Sequence, residues 1–317
     1  MKKTIILLLT FILTLFGSGK YAGEFITGSI DARSLALGNN ILTSFSTASS
    51  AYFNPAFLPE MTKSSITLNH SERFDGWVNQ EYAAYTSKMN DLSFGLYVIR
   101  LGVDDVPVTA INDDENDPSL DNRPYIVKEV SDNEIAVGLS LGKRYNEVLN
   151  YGVSAKILYK GFEEESAFGL GFDLSMLYKM NDDLNFAAKL QDVTTSGLFW
   201  TTGENEFIKP SLYGGAEYNF FWEYLDSSIK LISGMRVGSE GYNENAAISF
   251  SEFDVTFNGG AELLLNEFIT LRGGSEMERW SVGAGINLYG VSLDYAFKPD
   301  DELGDTHKAS ISYGWGD

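Results

Sequence analysis

A serine motif is the first feature of this sequence that suggests chemistry. Gly138-Leu139-Ser140-Leu141-Gly142 matches the pattern G-x-S-x-G, which in hydrolases presents a nucleophilic serine on a sharp strand-to-helix turn. Here the motif lies in a stretch where apolar and small residues alternate strictly, as they do along a β-strand. We therefore interpret the motif as a chance match and expect Ser140 to face the small-residue side of a strand.

Two histidines are the next candidates, because an adjacent histidine can activate a nucleophilic serine. The chain contains only His70 and His307, one near each end of its strand-rich part. If the first and last strands are neighbours in a closed sheet, the two histidines come close together in space. We interpret them as polar rim residues and predict no catalytic residues and no enzyme activity.

An acidic stretch is the only candidate for metal binding. Residues 113–117 read Asp-Asp-Glu-Asn-Asp, and Asp121 and Asn122 follow, which offers the oxygen ligands that calcium prefers. The stretch lacks the spacing and the glycine of an EF-hand loop. Residues 101–131 contain eight acids against Arg123 and Lys128, so a solvated acidic loop is the simpler interpretation. We predict no cofactor and leave open whether this loop binds a divalent cation.

The composition excludes several classes of protein. The chain has 317 residues with 23 basic and 44 acidic side chains, which gives a formal net charge of −21, and it has no cysteine. Disulfide scaffolds and cysteine-ligated metal sites are therefore excluded. A surplus of acids is the wrong sign for binding nucleic acid. With 44% hydrophobic residues, the chain is also unlike a disordered acidic protein.

The N-terminus has the pattern of a secretory signal peptide. Lys2 and Lys3 precede an apolar run from Ile5 to Phe16, and small residues follow up to Gly19. As a helix, this run would rise about 18 Å, which is too short for a hydrocarbon core of about 30 Å. We predict that residues 1–19 are a cleaved signal peptide and that the mature chain is exported.

Alternation with a period of two dominates the chain from about Ser64 onward. Phe168, Leu170 and Phe172, for example, alternate with Gly169 and Gly171, and this places the two classes on opposite faces of a sheet. Many segments reach ten residues, which is the length that a tilted strand needs to cross a bilayer. The fourteen predicted strands are residues 64–70, 79–88, 91–101, 132–145, 148–160, 166–180, 183–193, 207–220, 226–238, 253–265, 267–275, 279–288, 290–298 and 306–316.

The two faces of these strands differ in a way that favours a membrane barrel over a soluble sandwich. One face is small and polar and carries charges of both signs, which suits a lumen; the charged residues are Lys156, Asp173, Lys179, Lys189, Glu217, Glu262, Arg272 and Asp294. The apolar face carries aromatic residues near strand ends, as in the aromatic girdles of outer-membrane barrels; these are Tyr159, Tyr178, Trp280, Tyr295, Phe297 and Trp315.

The connections alternate in length. Tight turns are predicted at every second junction, and longer acidic connections at the others, including 102–131, 161–165, 194–206, 239–252 and 299–305. Outer-membrane barrels have short periplasmic turns and longer external loops. We therefore predict an all-β fold, a 14-stranded antiparallel transmembrane β-barrel, in the outer membrane of a Gram-negative-type bacterium.

Several segments resemble a known family. The run from Asp31 to Asn39, followed by Ala51-Tyr52-Phe53-Asn54-Pro55-Ala56, is similar to the N-terminal motif of the PorV/PorQ family, outer-membrane barrels related to FadL-type transporters of hydrophobic compounds. The resemblance extends to residues 101–105, 190–195, 292–297 and 303–308. It implies a 14-stranded barrel with an N-terminal segment in the lumen. Some members serve type IX secretion by carrying or docking cargo, and many others have no assigned role.

The resemblance and the composition together divide the mature chain into a plug and a barrel. Residues 20–63 are predicted to form the N-terminal plug segment and residues 64–317 the barrel, and the plug motif comprises Arg33, Asn54, Pro55 and Ala56. The apolar spacing from Asp31 to Leu42 predicts a short helix. Asn54-Pro55 predicts a turn with an extended asparagine. A disordered periplasmic leader is the alternative.

Two functions remain open at this stage. The barrel either binds partners in protein secretion or surface attachment, as the resemblance implies, or it conducts hydrophobic small molecules as FadL-like proteins do; we favour the first. Leu158, Leu177, Ile99 and Ile232 interrupt the small lumenal face and either line an apolar pocket or pack against the plug. The expected partners are outer-membrane lipid, lipopolysaccharide bridged by divalent cations, secretion-system proteins or exported cargo, and hydrophobic small molecules, but not nucleic acid.

Overall fold

The structure is a computed structural model that describes residues 23–39, 41–45, 47–89, 92–112, 117, 119–120, 122–239, 246–251 and 253–316. The predicted signal peptide at 1–19 and most of the acidic stretch at 113–121 lie outside these residues. Within the described part of the chain, no helix is long and apolar enough to cross a membrane.

Antiparallel strands make up most of the described chain. They are β1 (Ser64–Arg73), β2 (Val78–Met89), β3 (Leu92–Ala110), β4 (Tyr125–Arg144), β5 (Leu149–Phe162), β6 (Glu165–Lys179), β7 (Leu184–Gln191), β8 (Ser196–Trp200), β9 (Asn205–Ile208), β10 (Ser211–Trp222), β11 (Ser227–Gly238), β12 (Ile248–Phe250), β13 (Phe253–Leu265), β14 (Ile269–Glu276), β15 (Arg279–Leu288), β16 (Val291–Lys298) and β17 (Thr306–Trp315). Together they form a single sheet.

The sheet closes into a barrel of fourteen strands. Neighbours in sequence pair with one another from β1 to β7, then β7 pairs with β10, β10 with β11, β11 with β13, and the order continues to β17. The ring closes where β17 pairs with β1, from Ser64 opposite Trp315 to Glu72 opposite His307. The short strands β8, β9 and β12 lie outside this ring. The predicted all-β fold and the fourteen strands are confirmed.

The eighth predicted strand, at 207–220, is wrong at its start. Residues Asn205–Ile208 belong to β9, which forms a hairpin with β8. Strand β8 in turn pairs with residues 167–170 of β6. The ring strand β10 starts only at Ser211, after Pro210. Proline has no N–H to donate to the ladder, so it separates the two segments.

The predicted alternation of short and long connections is only partly correct. The predicted connection at 102–131 is mostly strand, because β3 and β4 stay paired up to Ala110 and Tyr125, with a register shift beside Asp105, whose φ is 57°. Two other connections at the same end, residues 163–164 and 277–278, are tight turns. The four long connections, at 111–124, 192–210, 239–252 and 299–305, nevertheless all lie at that end, which we call the outer end.

The two faces of the barrel wall are as predicted. On β6, Phe168, Leu170 and Phe172 are 57%, 60% and 47% exposed, whereas their neighbours Gly169 and Gly171 face the interior. An exterior of exposed apolar side chains is typical of a lipid-facing surface. The aromatic residues predicted for the girdles include Tyr178, Trp280, Tyr295 and Trp315, all of which are exposed.

The N-terminal segment lies inside the barrel and forms a plug. It contains 3-10 turns at Glu24–Ile26 and Pro55–Glu60, helix α1 (Ala32–Ala36) and helix α2 (Ser50–Phe53). Helix α1 contacts β14 to β17, α2 contacts β2 to β4, and the turn Pro55–Glu60 contacts β2 to β6. The lumenal plug is therefore confirmed, and the alternative of a disordered leader is wrong.

The predicted helix over Asp31 to Leu42 is shorter than expected. Asp31 caps α1, because its carboxylate accepts a hydrogen bond from the Ser34 N–H at 2.7 Å. The helix ends after Ala36, and Gly38 adopts a φ of +81°. A Cβ on Gly38 would lie 2.5 Å from the carbonyl oxygen of Ser275, so close packing against β14 ends the helix at this point.

Candidate functional site

The candidate site is the interface between the plug and the barrel wall. Arg33 of α1 is buried there, and its Nε donates to Glu262 Oε2 at 2.8 Å while its Nη2 lies 3.3 Å from Glu262 Oε1. Two-point contact of this kind is the strongest and most directional form of ion pair. Arg33 also donates to the carbonyl and the hydroxyl of Ser44. The first residue of the plug motif thus joins two parts of the plug to β13.

The wall continues this ion pair into a chain of charges. Arg272 Nε donates to Glu262 Oε2 at 2.7 Å, and its Nη1 donates to Asp294 Oδ1 at 2.5 Å. Burial alone would lower the pKa of Arg33, but the adjoining charge of Glu262 and the hydrogen bond to it outweigh burial and hold that pKa above its ordinary value. Arg33 therefore stays charged, and the plug is held by an ion pair that is largely shielded from water.

The Asn54-Pro55-Ala56 part of the motif fixes the opposite side of the plug. Asn54 is extended, as predicted, with φ −151° and ψ 91°. Its Oδ1 accepts from the Ala56 N–H at 3.0 Å, and its Nδ2 donates to the carbonyl of Leu42 at 2.6 Å. The Ala56 N–H also lies 3.1 Å from Ser175 Oγ on β6. The motif therefore orders the plug internally and ties it to the wall.

Two wall glycines allow this part of the plug to approach closely. A Cβ on Gly142 would lie 2.2 Å from the carbonyl oxygen of Pro55, and a Cβ on Gly152 would lie 2.4 Å from the backbone nitrogen of Ala56. Any larger residue at either position would push the turn Pro55–Glu60 off the wall. At these two positions, the close approach of the plug explains why the lumenal face carries glycine.

A second group of buried charges contacts α2. Lys156 lies 2.8 Å from both Asp173 and Asp192, and Lys189 lies 3.5 Å from Asp173. Lys189 also donates to the carbonyl of Tyr52 at 2.9 Å, and its ammonium lies 4.6 Å from the centre of the Tyr52 ring. The sequence placed three of these charges in the lumen but gave no indication of Asp192. Lys156, Asp173 and Lys189 have alternating signs on the successive strands β5, β6 and β7, and this alternation could have indicated the network.

Glu60 anchors the plug at the end opposite the long connections. Its carboxylate accepts hydrogen bonds from Arg144 at 2.9 Å, Asn150 at 2.8 Å and Lys179 at 2.9 Å. Burial alone would raise the pKa of this carboxyl group, but these hydrogen bonds and the two positive charges hold it below its usual value. Because the ionised form is the one that is bound, this anchor persists at neutral pH and is lost only in acid.

The four apolar lumenal residues pack against the plug. Ile99, Leu158 and Ile232 are at most 4% exposed and belong to a core that includes Phe25 and Tyr52 of the plug. Leu177 packs in a second cluster with Leu42, Ala56, Ala187 and Tyr213. The first core reaches β8 and β9 through Leu198 and Ile208, and the partly exposed Leu101 and Trp200 adjoin it. Apolar side chains thus extend from the outer end to the middle of the lumen.

Two cavities border the plug in the described part of the chain. The larger one, of about 230 Å³, has a polar lining that includes Arg33, Lys230, Glu262, Arg272 and Asp294. The smaller one, of about 20 Å³, lies among α2, β7 and β10, beside Tyr52, Lys189 and Tyr213, and has room for about one water molecule. The smaller cavity is too small for a substrate, and charged and polar side chains line most of the larger one.

The other sequence candidates lie away from this site or play a structural part in it. Ser140 lies in β4, near the end of the strand at Arg144, and its hydroxyl donates to the carbonyl of Ala51 at 2.6 Å. Both histidines are on the exterior, where His70 Nδ1 lies 2.7 Å from Glu81 and His307 Nδ1 lies 2.6 Å from the Tyr295 hydroxyl. Of the predicted calcium ligands, only Asp117 and Asn122 are among the described residues.

Comparisons with known proteins identify the fold. No protein-family model matches the chain, and no curated protein sequence matches it. The toluene transporter TodX of P. putida has a similar structure, with a TM-score of 0.65 and 11% identity over 92% of this chain and 99% of the TodX chain. The toluene transporter TbuX of Ralstonia pickettii is also similar, with a TM-score of 0.59 and 14% identity over 91% of this chain and 98% of the TbuX chain.

A third similar structure is a FadL homologue of Pseudomonas aeruginosa, with a TM-score of 0.54 and 12% identity over 95% of this chain and 99% of that one. At such identities the likeness establishes a shared fold and nothing finer. The fold is thus that of the FadL-like outer-membrane barrels. The resemblance to the PorV/PorQ family, which rested on sequence motifs, receives no support from these comparisons.

Proposed function

We propose that the protein carries hydrophobic small molecules across the outer membrane. The observation that carries this proposal is the apolar core between plug and wall, which reaches from Leu101 and Trp200 at the outer end to Tyr52 in the middle of the lumen. General porins instead have a polar, water-filled interior. An apolar interior lowers the free energy of an apolar solute and offers little to ions or sugars.

The structural neighbours support the same function. TodX and TbuX are described as toluene transporters, and both share the fold over more than 90% of this chain. This favours the transport alternative over the role in secretion that we expected from the resemblance to the PorV/PorQ family. We therefore propose that the barrel transports hydrophobic small molecules and that outer-membrane lipid surrounds it.

In this proposal, residues 20–63 are the movable element and residues 64–317 the channel wall. Arg33 and Asn54-Pro55-Ala56 act as the attachment points of the plug, because they form its hydrogen bonds to β13 and β6. The plug covers the apolar wall residues Ile99, Leu158 and Ile232, so transport along this wall requires the plug to shift. Residues 1–19 are proposed to be the signal peptide that directs export.

A loss-of-function experiment tests the proposal. A strain that lacks the protein should take up a radiolabelled aromatic hydrocarbon more slowly than the parent strain, and a plasmid copy should restore the rate. If the strain instead took up the hydrocarbon normally and retained secreted cargo in its periplasm, the transport function would be wrong and the role in secretion would be supported.

Orientation in the membrane follows from the connections, since the longer loops of such barrels face outward. The natural chain has no cysteine, so single-cysteine variants report their positions without background. We expect Leu120→Cys, in the connection between β3 and β4, to react with a membrane-impermeant maleimide on intact cells. Asp182→Cys, in the turn between β6 and β7, should react only after lysis. The reverse pattern would invert the orientation.

A further inference from the structure

We propose that the lumen contains a binding site for a single halide ion, built by Lys308, Gln80, Asn69 and Ser71. These residues lie on the lumenal face where the last strand of the barrel meets the first two. Lys308 of β17 is opposite Ser71 of β1, and Ser71 is opposite Gln80 of β2. Asn69 faces the lumen two residues before Ser71. All four side chains are at most 5% exposed.

Hydrogen-bond donors without partners characterise this site. The ammonium of Lys308 donates to the carbonyl of Ser29 at 2.7 Å and to Gln80 Oε1 at 2.5 Å, which leaves its third N–H for another acceptor. Gln80 Nε2, Asn69 Nδ2 and Ser71 Oγ are buried and have no hydrogen-bond partner. The amide nitrogens of Gln80 and Asn69 and the ammonium of Lys308 can only donate, so the species they require is an acceptor.

The orientation of both amides is set by their neighbours. Gln80 directs Oε1 at Lys308, which can only donate, so Nε2 must be the free atom. Asn69 Oδ1 accepts from Ser310 Oγ at 2.9 Å, and Ser310 Oγ in turn accepts from the Ala32 N–H at 2.9 Å. Since the hydroxyl is already accepting, it has its proton to give to Asn69. The donors of both amides are therefore left for the proposed ligand.

Charge distinguishes an anion from a water molecule. Among the described residues, Lys308 has no carboxylate within 4.0 Å, whereas Lys156 and Lys189 in the same lumen both do. A buried ammonium without a counter-charge costs several kcal/mol. Of the other charges that act on Lys308, Arg73 and Lys298 are positive and Asp31, the cap of α1, is negative. Together with Lys308 itself, the positive charges outnumber the single negative one, which favours an anion.

The burial of these side chains and the contacts of Lys308 indicate the class of anion and its effect. Because the surrounding side chains are almost completely covered, a monatomic anion fits better than a carboxylate or a phosphate. Chloride accepts several hydrogen bonds from any direction. Lys308 also holds the carbonyl of Ser29, two residues before the cap of α1. A bound halide would therefore fasten the plug to the strands that close the barrel.

Crystals of the full-length protein grown in sodium bromide provide the test. We expect an anomalous bromine peak in direct contact with Lys308 Nζ, since a charged donor forms the strongest hydrogen bond to an anion. Gln80→Glu is the decisive variant, because it places a carboxylate beside Lys308 and supplies the negative charge from within the protein. This variant should fold and show no bromine peak, and Lys308→Met should also show none.

Thermal unfolding gives a second measurement in solution. The unfolding midpoint of the natural protein should rise with the logarithm of chloride concentration relative to sodium gluconate at equal ionic strength, as expected for a ligand of the folded state. The midpoint of Gln80→Glu should not depend on which anion is present. A water molecule in place of bromide, a bromine peak retained in Gln80→Glu, or equal chloride dependence in both proteins would each overturn the proposal.

Discussion

Deletion of residues 31–56 should convert a closed barrel into an open pore. This segment contains α1, α2 and the whole plug motif, and it covers the apolar wall residues Ile99, Leu158 and Ile232. Barrels of eight strands are filled by their own side chains, whereas those of sixteen to eighteen leave an aqueous channel. A wall of fourteen strands needs the plug to exclude water. In planar lipid bilayers, the deletion variant should conduct ions steadily, while the intact protein stays closed.

The matched control leaves the plug in place and removes one of its attachments. Glu60→Gln weakens the contacts to Arg144 and Lys179, which are partly exposed. Partly exposed ion pairs contribute only about 0–1 kcal/mol, so this variant should stay closed. Both proteins should be checked for heat-modifiable migration on gels, which reports an intact barrel. A folded deletion variant without conductance would show that the wall alone closes the lumen.

The barrel itself could be predicted almost completely from the sequence, for a physical reason. A lipid-facing strand must place an apolar residue at every second position over about ten residues, and this local rule needs no knowledge of partners. Long ring strands such as β6 follow it closely, whereas β1 carries His70 and Glu72 on its outer face and was recognised from Ile66 and Leu68. The hairpin of β8 and β9 also alternates, with Leu198 buried and Phe199 exposed, but its strands of five and four residues are too short for the rule. We therefore predicted a connection there.

The site was predictable only in part, because it depends on register between distant strands. The sequence identified Arg33 by resemblance and Glu262 as a lumenal charge, but these residues are 229 positions apart and their contact depends on how the plug lies. The lumenal glycines were recognised as a class. Which of them would receive Pro55 and Ala56 follows from the fold alone. Local patterns therefore predicted which residues face the lumen and which face the lipid, but not which residues of the plug and the wall contact each other.

Replacement of Leu139 by arginine should destabilise the barrel more than any change at a strand end. Leu139 lies on the outer face of β4, near the middle of an apolar run bounded by Asn133 and Lys143 on the same face, and it is 47% exposed. An arginine at the centre of the bilayer costs about 2–4 kcal/mol, because its charge must reach water through the hydrocarbon. We expect this loss in the free energy of unfolding, measured by urea titration in lipid vesicles.

Leu288→Arg is the matched control, since it makes the same substitution at a position with the same exposure but a different depth. Leu288 is 49% exposed and is the last residue of β15, directly before the turn at Tyr289-Gly290. There the guanidinium can reach the headgroups, and the cost falls to about 0–1 kcal/mol. Unequal losses of this size would place β4 and β15 at the proposed depths. Equal losses would mean that the apolar exterior does not face a bilayer centred on Leu139.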